Sequence, residues 1–500
     1  MNAALAPDAA TRVSDRKMLF VLSTISLLGL GIAAWSTRGI GALRSDTGSY
    51  FSLDPARSVG YPAFLELVRL VTGNVGWAVQ LQMVLLAGSL FALGWSFHTF
   101  ARRPAWSAAF QIALFASLEM WRNSAVLITE AVATACVALW CAQLLRMTKR
   151  SSLTGFGLLA ALSAFATMVR PSLIVLFMAT AAFVLVTVRG RTRLLAMLMI
   201  AAGVIVALGA TPAADFFVNG SATTTSPLAR GILQHTLFCS PGRAPTDSDA
   251  AFVEDSAAPV RRYIETAPRD IQPILKRAYS ARLRFGLIIP VIGRRHHLDG
   301  DWQTDPIISR IAFERLEANP ACYVRSVAQA YLRMMTYETS RTPSEARQIQ
   351  HFVAAHPMIA VPIQPLLPED QSETLRAAAE LHVPVPPDSD RALPRKLGEK
   401  SPLALLVPAR LLYTGAAALG LLSIAGLALR RRIPGVRRAN LGAMAAMGIA
   451  LHGILFITAI VELGVARYTV PLWPIVCTMV AMAAFMIVRV SSNRRAAPAS

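Results

Sequence analysis

The chain has 500 residues, 54% of them hydrophobic and only 16% charged, with a formal net charge of +20 and a mean hydropathy of +0.48. A soluble chain of this length would be more polar, so composition points to a polytopic membrane protein. Residues 211–402 hold 22 basic and 21 acidic residues, so the positive excess sits in short clusters between apolar runs, which argues against a nucleic-acid partner; no Walker loop, GxGxxG or HExxH occurs, which leaves nucleotide binding and zincin chemistry without support.

A helix needs about 20 apolar residues to cross ~30 Å of hydrocarbon. In chain order, ten runs read as crossings: 18–36, 75–99, 105–119, 124–146, 154–169, 172–188, 194–210, 403–429, 441–461 and 469–488. Arg16 and Lys17 precede the first run as they would in a signal peptide. Its apolar core is too long for that, and no A-x-A site follows, so it reads as a span. With the N-terminus inside, the inner loops collect Arg102-Arg103, Arg146/Lys149/Arg150, Arg189/Arg191/Arg193, Arg430-Arg431-Arg432 and Arg437-Arg438, and the tail adds Arg489, Arg494 and Arg495. With the N-terminal segment included, 19 basic and 2 acidic residues fall inside, which satisfies the positive-inside rule at every turn. The expected fold is therefore all-α. It comprises an N-terminal membrane module (1–210, spans one to seven), an outer domain (211–402, helical and irregular) and a C-terminal membrane module (403–500, spans eight to ten). Both termini are expected on the cytoplasmic side of a bacterial inner membrane.

That orientation places Asp46, Glu119, Arg122, Glu130, Arg170, Glu462 and Arg467 at the outer face. The first outer loop, 37–74, contains LRSDTGSYFSLDPARSVGYPAFLELV, with Asp46, Tyr50, Arg57 and Tyr61 as candidates. Pro62 starts a helix there. Phe64, Leu67, Val68 and Val71 share one face at i, i+3, i+4, i+7, as in a helix lying along a membrane surface. An ordinary loop in which Asp46 bonds nearby backbone N–H groups is the alternative reading.

In SAVLITEAVATACVALW, Glu130 falls about six residues into the fourth run, or ~9 Å deep at 1.5 Å per residue. A carboxylate there costs ~2.5–3.5 kcal/mol unless it meets water or a partner. It either pairs with Arg122 or Arg170 as a structural acid, or lines a functional cavity. Arg170-Pro171 closes the fifth run, where a guanidinium suits a phosphate or snorkels to headgroups. ELGVARYTVPLWP, with Glu462, Arg467 and Tyr468, poses the same choice. His452, in mid-span, reads as a hydrogen-bonded bundle residue.

In the outer domain, RIAFERLEANPACYVRSVAQAYLRMM from Arg310 reads as two amphipathic helices broken at Asn319-Pro320. RRHHLDGD, with Arg294, Arg295, His296 and His297, is a weak candidate for a divalent metal, because adjacent histidines point different ways. Cys239 and Cys322 share the outer compartment and are candidates for a disulfide. Cys136, Cys141 and Cys477 lie within spans and read as inert thiols.

An Asp in the first outer loop, an aromatic soon after and then R-x-x-GYP resemble the GT-C glycosyltransferases, the polyprenyl-phosphate-sugar-dependent enzymes that include protein O-mannosyltransferases and the lipid A aminoarabinose transferase. ITEAVA in the fourth span, MVRPSL closing the fifth and ARYTVPLWP opening the last agree with this in order and sidedness. The resemblance covers the seven N-terminal spans and, more weakly, the C-terminal ones. It implies Asp46 as general base on an acceptor, and Glu119 or Glu130 as a second acid. Arg170 and Arg467 would face the leaving phosphate, with Tyr50, Arg57, Tyr61, Arg122 and Tyr468 in the binding site. The implied partners are a polyprenyl-phosphate sugar, membrane lipid, and a glycan, lipid or protein acceptor. No cofactor is implied beyond the candidate divalent metal. Two other classes stay open: an O-antigen polymerase or ligase acting through Arg294–His297, and a transporter, although no internal repeat is visible.

Overall fold

A computed structural model describes residues 9–37, 47–51, 57–219, 227–240, 244–269, 272–298, 301–335, 409–429, 437–461 and 466–495. The first half runs through α1 (Ala9–Thr37), α2 (Thr47–Phe51), α3 (Gly60–Thr72), α4 (Ala78–Ala101), α5 (Pro104–Phe115), α6 (Leu118–Ser124), α7 (Glu130–Met147), α8 (Leu153–Val169), α9 (Val175–Thr187) and α10 (Gly190–Asn219). A smaller module follows, of α11 (Pro227–Thr236), α12 (Ser248–Thr266), α13 (Gln272–Leu283), α14 (Ile289–Arg295), α15 (Asp305–Ala318) and α16 (Pro320–Met335). The chain returns with α17 (Ala409–Ala428), α18 (Arg438–Val461) and α19 (Trp473–Arg495). No β-strand occurs among the described residues, and the architecture is that of an all-α polytopic membrane protein.

Among the described residues, seven stretches are long and apolar enough to cross a bilayer: Ser14–Trp35, Val75–Ala101, Glu130–Met147, Gly190–Val218, Leu411–Ala428, Arg438–Val461 and Tyr468–Ser491. The other three expected crossings form helices that fall short of the usual length: α5 has 12 residues, α8 has 17 and α9 has 13. The run read as 194–210 is longer than expected, and α10 continues through Pro212 to Asn219.

Local sequence explains the boundaries. Gly73, at φ 71°, ends α3 in the left-handed conformation that glycine adopts without cost. Asn74 then accepts from the Gly76 N–H at 2.7 Å to start the next turn. Ser152 caps α8 by accepting from the Gly155 N–H at 3.0 Å. The periodicity read for α3 needs correction. The helix begins at Gly60 rather than Pro62, and its protein-facing stripe is Tyr61, Leu65 and Val68. Leu67, Leu70 and Val71 point outward, so Val68 leaves the apolar outer face on which it was expected.

α7 is the central helix, with 89% of its apolar window buried, against 22% for α1 and 17% for α10. The peripheral helices expose Phe20, Trp35, Ile205 and Phe217, which in a bilayer would meet lipid rather than water. The C-terminal helices complete the same core. The Trp473 indole donates to the Leu114 carbonyl at 3.1 Å, and the Tyr413 hydroxyl donates to the Thr469 carbonyl at 2.8 Å. A Cβ on Gly448 would stand 2.7 Å from the Gly420 Cα, so α17 and α18 meet backbone to backbone, as small residues permit in membranes.

The module of α11–α16 has its own apolar core, built on Leu233, Val253, Val260, Leu283, Ile292 and Ile308. Cys239 and Cys322 are disulfide-bonded, with Cα atoms 6.0 Å apart. The two helices read from Arg310 onward are α15 and α16, broken at Asn319, whose side chain accepts from the Cys322 N–H at 3.2 Å. The module rests on α18. A Cβ on Gly231 would lie 2.6 Å from the Val461 Cα, and the Tyr331 hydroxyl meets His452 Nδ1 at 2.5 Å. His452 Nε2 faces the Ala417 carbonyl at 3.0 Å. A carbonyl can only accept, so Nε2 carries a proton, and the ring joins the module, α17 and α18.

Candidate functional site

Glu130 is the first residue of α7, not two turns inside a helix as the apolar run suggested. Residues 125–129, which open that run, are not helical, although Val126 and Leu127 are fully buried. Irregular backbone at membrane depth survives only where protein satisfies its polar groups. Here Gln82 Nε2 donates to the carbonyls of Ser124 (2.6 Å) and Val126 (2.7 Å), and Thr47 Oγ1 donates to the Leu127 carbonyl (3.2 Å). Gln82 is the residue that the sequence reading missed. A neutral amide inside an apolar run carries no charge signal, and Gln80 two residues earlier offers the sequence a second amide with nothing to choose between them.

Arg170 enters from the other side. Pro171 disfavours the α conformation in the residue before it, and Arg170 is extended, at φ −149° and ψ 110°. This ends α8 and aims the side chain across the bundle toward α7. Arg170 Nη1 lies 3.7 Å from Glu130 Oε1, with residue exposures of 8% and 3%. The guanidinium stacks over the Tyr468 ring, 4.5 Å from its centroid. At 3.7 Å the pair is attractive but too long to be a hydrogen bond, and among the described residues the buried Nη1 has no hydrogen-bond partner. Thr129 Oγ1 approaches the other Glu130 oxygen, Oε2, at 3.4 Å, and the N-terminus of α7 further favours an acid at that position.

Two points of the first loop attach to these two segments. Thr47 holds the Leu127 carbonyl, as above. Ser58 Oγ donates to the Val169 carbonyl at 3.0 Å, next to Arg170. A Cβ on Gly60 would stand 2.5 Å from the Met168 carbonyl carbon, so the loop and the end of α8 are in backbone contact there. Within the loop, Arg57 stacks on Tyr50 (5.0 Å) and donates to Ser49 Oγ (2.8 Å), and Tyr50 packs edge-on against Tyr61 at 5.0 Å. Tyr61 is fully buried, and its hydroxyl donates to Gln82 Oε1 at 3.1 Å. Burial, then the neighbouring Tyr50 and Glu130, push that hydroxyl's pKa up. Tyr61 thus lies beneath the site, as a support for the loop. Beside it, a largely apolar groove of about 250 Å³ runs between α3 and α10, lined by Tyr50, Phe51, Val59, Leu65 and Val218, with the Glu66–Arg69 ion pair also in its lining.

The structure therefore brings together Glu130, Arg170, Tyr468 and the loop residues Tyr50, Arg57 and Tyr61. Asp46, one residue before Thr47, and Glu462 lie outside the described residues, as do the side chains of Glu119, Arg122 and Arg467. Far along the chain, His296 Nε2 lies 2.8 Å from Asp249 Oδ2, and Arg295 sits at 3.4 Å from the same carboxylate. Two residues of the Arg294–His297 cluster are thus engaged with α12, and no group of three metal ligands occurs among the described residues. No protein-family model, curated protein or solved structure matches the chain.

Proposed function

We propose that this chain is an integral-membrane glycosyltransferase that moves a sugar from a polyprenyl-phosphate donor to an acceptor at the outer face of the cytoplasmic membrane. The observation that carries this reading is the buried Arg170, paired with Glu130 yet holding a hydrogen-bond donor without a partner among the described residues, where the first loop is anchored at Thr47 and at Ser58. A planar guanidinium with a spare donor in a water-poor setting suits a phosphate oxygen. In this reading the chain crosses the bilayer ten times, α5, α8 and α9 being short crossings, and both termini are cytoplasmic.

Asp46, carried by the loop that Thr47 anchors, would accept the proton of an acceptor hydroxyl or amine as it attacks the anomeric carbon. The bond from that carbon to the phosphate oxygen breaks, and the electron pair leaves on polyprenyl phosphate. Arg170 stabilises the departing charge, Glu130 and Tyr468 hold Arg170 in place, and the groove between α3 and α10 receives part of the isoprenoid tail. The test is incubation of the purified protein with polyprenyl-phosphate sugars, following release of polyprenyl phosphate. Asp46→Asn should lower turnover by ~10²–10⁴ with an unchanged melting temperature. Near-normal turnover in that variant removes Asp46 from the mechanism, and no release with any donor removes the reading itself.

A further inference from the structure

The end of α7 opposite Glu130 opens on a cavity of about 660 Å³. Five cations line it, from four places in the chain: Arg102 and Arg103 after α4, Lys149 after α7, Arg437 before α18 and Arg489 on α19. Among the described residues that line it, none is a carboxylate. The nearby Asp15 is taken by Arg102, at 3.0 Å, and by His98, at 3.3 Å. Lys149 donates to the Thr99 carbonyl. Its pKa is lowered by partial desolvation of its ammonium and then by Arg102 and Arg437, with Asp15 opposing them. Thr148 and Asn440 add neutral hydrogen-bonding groups. The other wall is apolar, with Phe485 packed edge-on against Phe100 (5.6 Å) and Trp106 (6.4 Å).

Positive-inside sorting requires basic residues in each loop, but it does not require loops far apart in sequence to direct them into one concavity. Like charges drawn together repel unless an anion joins them. Arg and Lys with neutral donors are the groups that hold phosphate. The cavity lies where α4 and α7 end and α18 begins, at the level of a bilayer surface, and its aromatic wall has the amphipathic character of an interfacial belt. We propose that this cavity binds the phosphates of an anionic phospholipid headgroup, with the aromatic wall against the first carbons of the acyl chains. The proposal is independent of the glycosyltransferase reading, because it concerns the other end of the bundle.

The test uses the full-length protein in phosphatidylcholine nanodiscs with graded cardiolipin, a lipid with two phosphates, and native mass spectrometry to count retained lipid. Cardiolipin should be retained at levels where phosphatidylcholine is lost. The triple variant Lys149→Gln/Arg437→Gln/Arg489→Gln should weaken retention at least tenfold, and Arg489→Gln alone should weaken it measurably. All three side chains are exposed, so melting should be unchanged, and the single variant keeps the test valid if the triple one melts early. Arg16→Gln/Arg189→Gln/Arg191→Gln removes as much charge from the same end without touching the cavity and should change retention less than twofold. Equal losses in the two triple variants would mean a diffuse surface charge and overturn the proposal, as would retention unaffected by the cavity variants. Inorganic pyrophosphate should displace cardiolipin only in large excess; pyrophosphate binding without cardiolipin binding would assign the cavity to a soluble anion and overturn the lipid assignment.

Discussion

Glu130 Oε1 and Arg170 Nη1 lie 3.7 Å apart, inside ion-pair range and outside hydrogen-bond range, with both side chains almost wholly withdrawn from solvent. Deleting one partner of a buried pair leaves an uncompensated charge and costs ~3–5 kcal/mol, so Glu130→Ala or Arg170→Ala should depress melting as well as any activity. Arg170→Lys is more informative, because it keeps the charge and loses the planar fork. If Arg170 holds phosphate, affinity for polyprenyl phosphate should fall about tenfold, in line with a charge-assisted hydrogen bond of ~1.5–3 kcal/mol, while melting changes little. Lower melting with unchanged affinity would make the pair a structural one.

Residues 248 and 434 should be reached from opposite sides of the membrane. Single cysteines placed at Ser248 and Pro434, in a background without the native free thiols, should react with an impermeant thiol reagent in intact cells only at 248. Labelling of both from one side would end the ten-crossing arrangement.

Reduction should unfasten the α11–α16 module without unfolding the bundle. The Cys239–Cys322 bond closes a separation of 83 residues, for which chain entropy gives a stabilisation of about 4.6 kcal/mol. Cys322→Ala, or treatment with a reductant, should make residues 227–335 sensitive to limited proteolysis while the helical circular dichroism of the bundle persists. Unchanged protease resistance would show that apolar packing alone secures the module.

Acid should weaken the same module through Asp247. Its carboxylate caps α12 by accepting from the N–H groups of Ala250 (2.8 Å) and Asp249 (3.0 Å), and it pairs with Arg310. The Ala250 bond first, and then Arg310, hold its pKa below the ordinary carboxylate value against the opposing effect of burial. Because the folded value is the lower one, this contribution is complete above the unfolded value of about 3.9 and fades as pH falls through the folded one. Asp247→Asn keeps a capping side chain and should flatten the fall in module stability between about pH 4 and pH 2; a variant with the wild-type acid profile would place the sensitivity elsewhere.

Much of the fold was legible because apolar runs and helix-breaking residues are local signals. The break at Asn319-Pro320 and the end of α8 at Arg170-Pro171 both follow from proline's effect on the preceding residue. The segment 125–129 was not legible. It is as apolar as the helix it precedes, and it departs from helix because Gln82 and Thr47, distant in sequence, donate hydrogen bonds to its Val126 and Leu127 carbonyls. The pairing of Glu130 was legible only as a choice between Arg122 and Arg170; the described structure shows Arg170 at ion-pair distance, where a turn of extended backbone delivers it. The inward position of Val68 on α3 could not be read from spacing, since both faces of that helix carry apolar residues and only tertiary contact distinguishes them.

Among the described residues, three junctions are closed by a hydrogen atom where other residues carry a side chain: Gly60 against the end of α8, Gly231 against Val461, and Gly420 against Gly448. Each neighbour there is backbone, which cannot swing aside as a side-chain tip would. A single methyl at any of the three would wedge the first loop from α8, the α11–α16 module from α18, or α17 from α18. The tightest tolerances in this protein thus belong to residues with no functional group, and random mutagenesis scored by folded yield should find its sharpest intolerance at these glycines, ahead of most of the charged residues that draw the eye in the sequence.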